Sequence, residues 1–360
     1  MQLLADWFRR HFSDPQVVLL AVLLLSGLVV VLTMGHMLAP VLASIVIAYL
    51  LEGLVALLER RGVPRLVAVG VVFVVFLLFL ALILFGLLPL LSRQVTQFFQ
   101  QVPNMISEGQ RGLMQLPERY PDVVSPAQIQ ELIGRIRQEI LAFGQQVVSI
   151  SISSVVGIIT LLVYLILMPM LVFFFLKDKN PILDWIVQFL PEDRGLAQDV
   201  WTDVDRQLGN YVRGKFWEIL IVGSVSFFAF QLFGLDYAML LGVLVGLSVI
   251  IPFIGAAVVT IPILVIAWFQ WGWGAEFVWL AVVYFVIQAV DGNVLVPLLF
   301  SEVVNLHPVA IIVAILVFGG FWGFWGVFFA IPLATVVQAI LTAWPSVRRK
   351  RTKGEAREAA

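Results

Sequence analysis

Of 360 residues, 61% are hydrophobic and only 12% are charged, and the mean hydropathy is +1.02. A soluble domain carries about 25% charged residues, so lipid rather than water is the main solvent of this chain. A formal charge of −1 argues against a nucleic-acid partner, which needs a basic face, and the absence of cysteine excludes disulfides, thiol catalysis and thiolate metal sites.

In chain order, apolar runs long enough to span a bilayer fall at 16–34, 37–58, 66–92, 151–176, 216–233 and 274–290. The first is read as a transmembrane helix, since no small-residue cleavage site follows it. Two longer apolar blocks, 237–270 and 309–344, exceed one ordinary span and carry helix-breaking centres. Pro252 and Gly255 mark the first, and Gly319, Gly320 and Gly326 mark the second. Each is read as a broken helical hairpin, re-entrant or fully spanning; the alternative is two plain helices joined by a tight turn.

The 22 Lys and Arg residues set the orientation. They gather before the first span (Arg9, Arg10), between the second and third (Arg60, Arg61, Arg65), after the fourth (Lys177 to Lys215) and in the tail from Arg348. By the positive-inside rule these regions and both termini are cytoplasmic. Five arginines in 93–150 are diluted by acids, which places that segment outside.

The reading is an all-α polytopic membrane protein with about eight hydrophobic segments. Transmembrane helices occupy 1–92, extracytoplasmic amphipathic helices 93–150, a further transmembrane helix 151–176 and a cytoplasmic insertion 177–215. A transport module over 216–344 and a basic cytoplasmic tail over 345–360 complete it. Val95, Phe98, Phe99, Val102 and Ile106 fall near helical spacing, as do Ile129, Leu132, Ile133, Ile136 and Ile140. Such helices are too small to bury a core of their own and are expected to pack on the membrane surface or a neighbouring subunit. In the insertion, Glu192-Asp193 after Pro191 suits a helix start.

The C-terminal half repeats a plan of span, polar segment and broken hairpin: 216–233 with Gly234 to Tyr237, then 274–290 with Asp291 to Pro308. Aligning Gly255 with Gly326 sets Asp236 opposite His307. One span runs outward and the other returns, so the two units are inverted. Inverted repeats with interrupted helices are a recurrent transporter plan, with the site at the repeat interface.

No Lys or Arg lies between Phe216 and Val347, yet five acids do: Glu218, Asp236, Glu276, Asp291 and Glu302. A carboxylate at membrane depth is costly and usually functional. Asp291 is the leading candidate for substrate or coupling-ion binding, sharing a face with Gln288 if the helix continues. Gly292, Asn293 and Pro297 then mark backbone expected to unwind and offer carbonyls; a plain interfacial turn is the other reading. Asp236 reads first as an N-cap for the helix from Tyr237 and second as a proton carrier. His307-Pro308 reads as the start of the second hairpin helix, with proton coupling as the alternative. Arg213 and Lys215 read as an interfacial anchor or a cytoplasmic gate. Glu52 snorkels near its span end, and Trp268, Trp271, Trp273 and Trp279 read as an aromatic belt. The scattered histidines His11, His36 and His307 and the lack of a phosphate loop imply no metal, no cofactor and no ATP-driven or enzymatic step.

Tyr211-Val-Arg-Gly-Lys215, Gly234-Leu-Asp-Tyr-Ala238, Ile250-Ile-Pro-Phe-Ile-Gly255, Gln288-Ala-Val-Asp-Gly-Asn293 with Pro297, and Ser301 to Pro308 occur in that order. Together they resemble the autoinducer-2 exporter family, also described as PerM-type permeases. The resemblance implies a multi-pass permease of the bacterial inner membrane and a homo-oligomer, as a pentamer. It carries the family's polar motif onto Gln288, Asp291, Asn293, Pro297 and His307-Pro308. The expected function is a secondary transporter exporting a small polar solute similar to autoinducer-2. The alternatives are a sodium(lithium)/proton antiporter and an oligomeric pore or scaffold.

Overall fold

The computed structural model describes residues 15–113, 155–190, 195–252, 254–300, 307–335 and 337–338, with positions 131, 134, 135 and 138. The described residues are overwhelmingly helical and contain no strand. Among the described residues, six helices are long and apolar enough to cross a membrane, and shorter apolar helices accompany them. The protein is an all-α polytopic membrane protein.

α1 (Pro15–Arg60) is a single helix of 46 residues. The two spans expected at 16–34 and 37–58 are thus not separated by a turn. At 1.5 Å per residue α1 is about 69 Å long, more than twice a bilayer core of about 30 Å. An isolated glycine such as Gly35 costs a helix only about 1 kcal/mol, too little to end an apolar helix of this length. α2 (Arg65–Leu82) passes through a π-helical turn (Ile83–Leu87) into α3 (Leu88–Leu113). α4 (Val155–Lys177) and the short α5 (Lys179–Val187) follow. A cluster of Val55, Ala68, Val69, Val72, Val172 and Leu176 holds α1, α2 and α4 together.

α6 (Gly195–Phe233) joins the expected insertion and the expected span at 216–233 in one helix of 39 residues. The expected helix start at Pro191, Glu192 and Asp193 lies outside the described residues, as does the second amphipathic run from Ile129 to Ile140 apart from position 131 and three others. The first amphipathic run is helical, and part of its apolar face packs on this chain. Phe98 and Met105 of α3 rest on the core of the C-terminal half, Phe98 meets Tyr237 edge-on at 5.6 Å, and Gln94 Oε1 accepts from the Leu240 amide at 2.8 Å.

After α6 the chain turns at Gly234 (φ 70°) and enters α7 (Ala238–Ser248). With 11 residues, α7 rises about 16 Å, roughly half a bilayer core. It lies against α6 along glycines. A Cβ on Gly246 would sit 2.7 Å from the Ile219 carbonyl oxygen, and one on Gly242 would sit 2.7 Å from the Phe227 side chain. Helix backbones this close require the missing side chain. After the break at residues 249–252, α8 (Ile254–Trp271) runs back. Its Gln270 donates to the Gly234 carbonyl at 2.7 Å and accepts from the Asp236 amide at 2.9 Å. The hairpin therefore begins and ends at the Phe233 end of α6.

α9 (Ala275–Val290), a π-helical turn (Asp291–Leu295) and α10 (Val296–Phe300) form one continuous helical run. α11 (Pro308–Phe328) starts the second hairpin and breaks at Gly323 (φ 58°, ψ −134°). Gly319 and Gly320, expected at the break, remain helical. A second helical leg occupies 330–335.

The two breaks share a packing signature. A Cβ on Gly255 would overlap the Ser248 carbonyl oxygen, and one on Gly326 would overlap the Phe318 carbonyl oxygen. Both glycines follow a break and press against the last turn of the preceding leg, so the alignment read from sequence pairs equivalent positions. The clusters differ in place. Val222 and Phe230 of α6 pack with the first hairpin, whereas Tyr211 and Val212 pack with Phe300 of the run from α9 and with Ile311, Ile315 and Ile331 of the second hairpin. Tyr211 and Phe233 lie about 33 Å apart along the helix. The first hairpin opens at one end of that length, and the second packs at the other.

Candidate functional site

Lys215 is 4% exposed and Glu218 is 2% exposed, and their charged atoms meet at 2.6 Å. Residues three apart on a helix share a face, which is what lets this pair form within α6. Lys215 does not anchor at the interface as the sequence reading allowed: its ammonium also donates to the Val249 carbonyl at 2.7 Å and lies 5.2 Å from the centroid of the Phe300 ring. Val249 is the first residue past α7, and a broken helix leaves such carbonyls without helical partners. The ammonium satisfies one that hydrocarbon could not.

Asp291 is a Coulombic neighbour of both Lys215 and Glu218. Two of the five acids after Phe216 are therefore not uncompensated: the cation one residue before that stretch bonds Glu218 and is an electrostatic neighbour of Asp291. Oδ1 of Asp291 is buried without a hydrogen-bond partner. Two carboxylates and one ammonium leave the cluster with a formal charge of −1.

Asp291 opens the π-helical turn, and the helix does not unwind there as expected. Pro297 explains the geometry. It has no N–H and its ring crowds the carbonyl four residues back, and a widened π turn relieves both while keeping the helix. The first π turn stands in the same relation to Pro89. Continuity keeps Tyr284, Gln288 and Asp291 on one inward face. Gln288 Nε2 donates to the Tyr284 hydroxyl at 3.0 Å, which lies 3.0 Å from Thr260 Oγ1, and Thr260 donates to the Ala256 carbonyl at 2.7 Å. A polar ladder thus joins α9 to the first turn of α8, just past the break that Lys215 reaches from α6.

The other expected site residues stand apart from this cluster. Asn293 is exposed and bonds the Ala289 carbonyl of its own helix at 2.8 Å, and Pro297 is exposed. Asp236 is exposed at the hairpin mouth and caps nothing with its side chain, because the N-cap of α7 is Tyr237 with φ 59°. His307 is the N-cap of α11, its Nδ1 accepting from the Val309 amide at 3.2 Å, as its reading as a helix start requires. Arg213 is half-buried, bonds Asn210 at 2.9 Å and lays its stem against Gly53 of α1. Glu52 is held by Arg65 at 3.4 Å and Lys179 at 3.7 Å instead of snorkelling. Of the expected belt, Trp273 and Trp279 are exposed, but Trp271 packs on the core and Trp268 buries its N–H.

Tyr211, which the sequence reading did not single out, is fully buried and donates to the Phe328 carbonyl of the second hairpin at 2.9 Å. Its position four residues before Lys215 is the signal that a helical-wheel reading of the motif contains.

Residues 17–346 match the AI-2E family transporter description. The chain belongs to the AI-2E transporter family. It is 46% identical over 345 residues to a protein of Escherichia coli strain K12 named as the permease PerM, covering 96% of this chain and 98% of that protein. It is 28% identical to two proteins of Bacillus subtilis strain 168 named as transport proteins. One is YueF, over 83% of this chain and 82% of that protein, and the other YrrI, over 84% and 85%. The AI-2E membership and these relatives make the chain a multi-pass membrane transport protein.

Proposed function

We propose that the chain is a secondary transporter that exports a small polar solute across the inner membrane, with Asp291 at its centre. The observation that carries the reading is the buried, unpartnered Oδ1 of Asp291 beside an already bonded Lys215–Glu218 pair. An acceptor left unsatisfied at such depth is a place for a ligand's donor. The net −1 charge of the cluster gives the coupling its basis, since one proton or monovalent cation neutralises it. An autoinducer-2-like solute comes first among substrates because the family is named for it. The distribution of Lys and Arg supports a cytoplasmic tail, and assembly into a homo-oligomer rests on the family resemblance.

The test is efflux from proteoliposomes loaded with autoinducer-2 or with other small polar metabolites, with and without a pH or sodium gradient. Saturable, gradient-dependent efflux that disappears in Asp291→Asn is the expected result. Full transport and full cation coupling in that variant would overturn the site. Non-saturable leakage unaffected by gradients would overturn secondary transport itself.

A further inference from the structure

Away from Asp291, a cavity of about 240 Å³ lies between α1, α4, α5 and α6. Its walls are apolar, with Ile45, Ala48, Leu176, Ile182, Leu183 and Ile186 among them. At about 30 Å³ for each water-sized group, it holds roughly eight methylene-sized groups. Its polar groups are Tyr49, Glu52, Lys179 and Asp205. Tyr49 donates to Asp205 at 2.5 Å, and Glu52 is shared by Arg65 and Lys179. Asp205 has no cation within ion-pair distance among the described residues, although Lys179 lines the same cavity.

The surroundings are those of a bilayer margin. α4 passes from Phe175 and Leu176 to Lys177, Asp178 and Lys179 at the cavity. Trp185 of α5, Phe189 just after it and Trp201 of α6 are exposed, the pattern of aromatic side chains at headgroup level.

We propose that this cavity binds a zwitterionic aminophospholipid, with an acyl chain in the apolar pocket, the headgroup ammonium on Asp205 and the phosphate beside Lys179. The charge count selects the headgroup. Glu52, Glu59 and Asp205 outnumber Arg65 and Lys179 by one, so the rim offers no net positive charge to an anionic lipid, yet it presents one carboxylate free to accept hydrogen bonds. A primary ammonium donates such bonds and a choline headgroup cannot. The site is independent of the transport reading of Asp291.

The experiment measures the melting temperature of the purified full-length protein in detergent, with native mass spectrometry counting retained lipids. Phosphatidylethanolamine, phosphatidylcholine and phosphatidylglycerol with identical acyl chains are compared, and O-phosphoethanolamine serves as the headgroup alone. The expected result is stabilisation and retention several-fold greater for phosphatidylethanolamine than for the other two, and none from the free headgroup. Asp205→Asn keeps an acceptor for Tyr49 but removes the charge, and it brings phosphatidylethanolamine down to the level of phosphatidylcholine. Tyr49→Phe keeps the charge and the preference, and Ile182→Trp fills the cavity and weakens all three lipids. Equal binding of the three lipids, a preference that survives Asp205→Asn or is lost in Tyr49→Phe, or an equal response to the free headgroup overturns the proposal.

Discussion

Tyr211 and Lys215 lie one turn apart on the same face of α6, and each donates to a backbone carbonyl of a different broken hairpin, Phe328 and Val249 respectively. The rise between them is about 6 Å. One short stretch of a single helix thus holds both halves of the inverted repeat, and the Tyr-Val-Arg-Gly-Lys string is the sequence form of that grip. Gly214 between them permits the approach, since a Cβ there would come within 2.8 Å of the Phe300 ring.

Removing one member of the buried pair leaves the other charged and alone. Lys215→Met is expected to cost about 3–5 kcal/mol of stability, as is usual when a buried ion pair is broken. Combining it with Glu218→Leu is expected to restore most of that loss, because replacing both charges removes the isolated one. Melting of the three purified variants in the same detergent checks this. Transport stays absent in the double variant if the pair serves function rather than folding.

Tyr211→Phe deletes one donor and keeps the ring packing. The Phe328 carbonyl is then left without that partner, for an expected loss of about 1–3 kcal/mol. Hydrogen exchange is expected to rise in residues 322–335 and to stay unchanged in the first hairpin. Equal exchange in both hairpins would show that the bond is not what holds the second.

The glycine signature predicts a graded series. Gly255→Ala and Gly326→Ala place a methyl group on a backbone carbonyl, and each is expected to cost at least about 3 kcal/mol, the upper range for overpacking. Gly320→Ala meets nothing within 4 Å and is expected to be neutral or slightly stabilising. Melting temperature and monodispersity of the purified variants give the readout.

The chain contains no cysteine, so single cysteines report sidedness without background. Gln97→Cys is expected to react with an impermeant maleimide only from outside the cell, and Lys353→Cys only after the cytoplasmic face is opened. Labelling of both from one side contradicts the orientation read from the positive charges.

Much of this architecture was legible in local composition. Pro252 announces the first break because proline ends a helix, and His307-Pro308 announces a helix start because a cap followed by proline suits one. The spacing of Val95, Phe98, Val102 and Ile106 showed a one-sided helix, though not that its partner is the chain itself. Three features escaped for physical reasons. Proline at 297 predicted unwinding, but a π turn absorbs it at lower cost than exposing carbonyls to lipid. Lys215 looked interfacial because hydropathy counts charges without knowing that Glu218 and a freed carbonyl await it. The break at Gly323 was hidden among neighbouring glycines, since composition does not say which one takes positive φ.

Gln270 uses both ends of its amide at the mouth of the first hairpin, and Lys215 holds its tip. The hairpin is therefore tied at its mouth to the turn after α6 and at its tip to α6 itself. Travel of the hairpin along α6 would break the Lys215 bond and part the close-packed glycines Gly223, Gly242 and Gly246, so the hairpin and α6 are expected to move as one body.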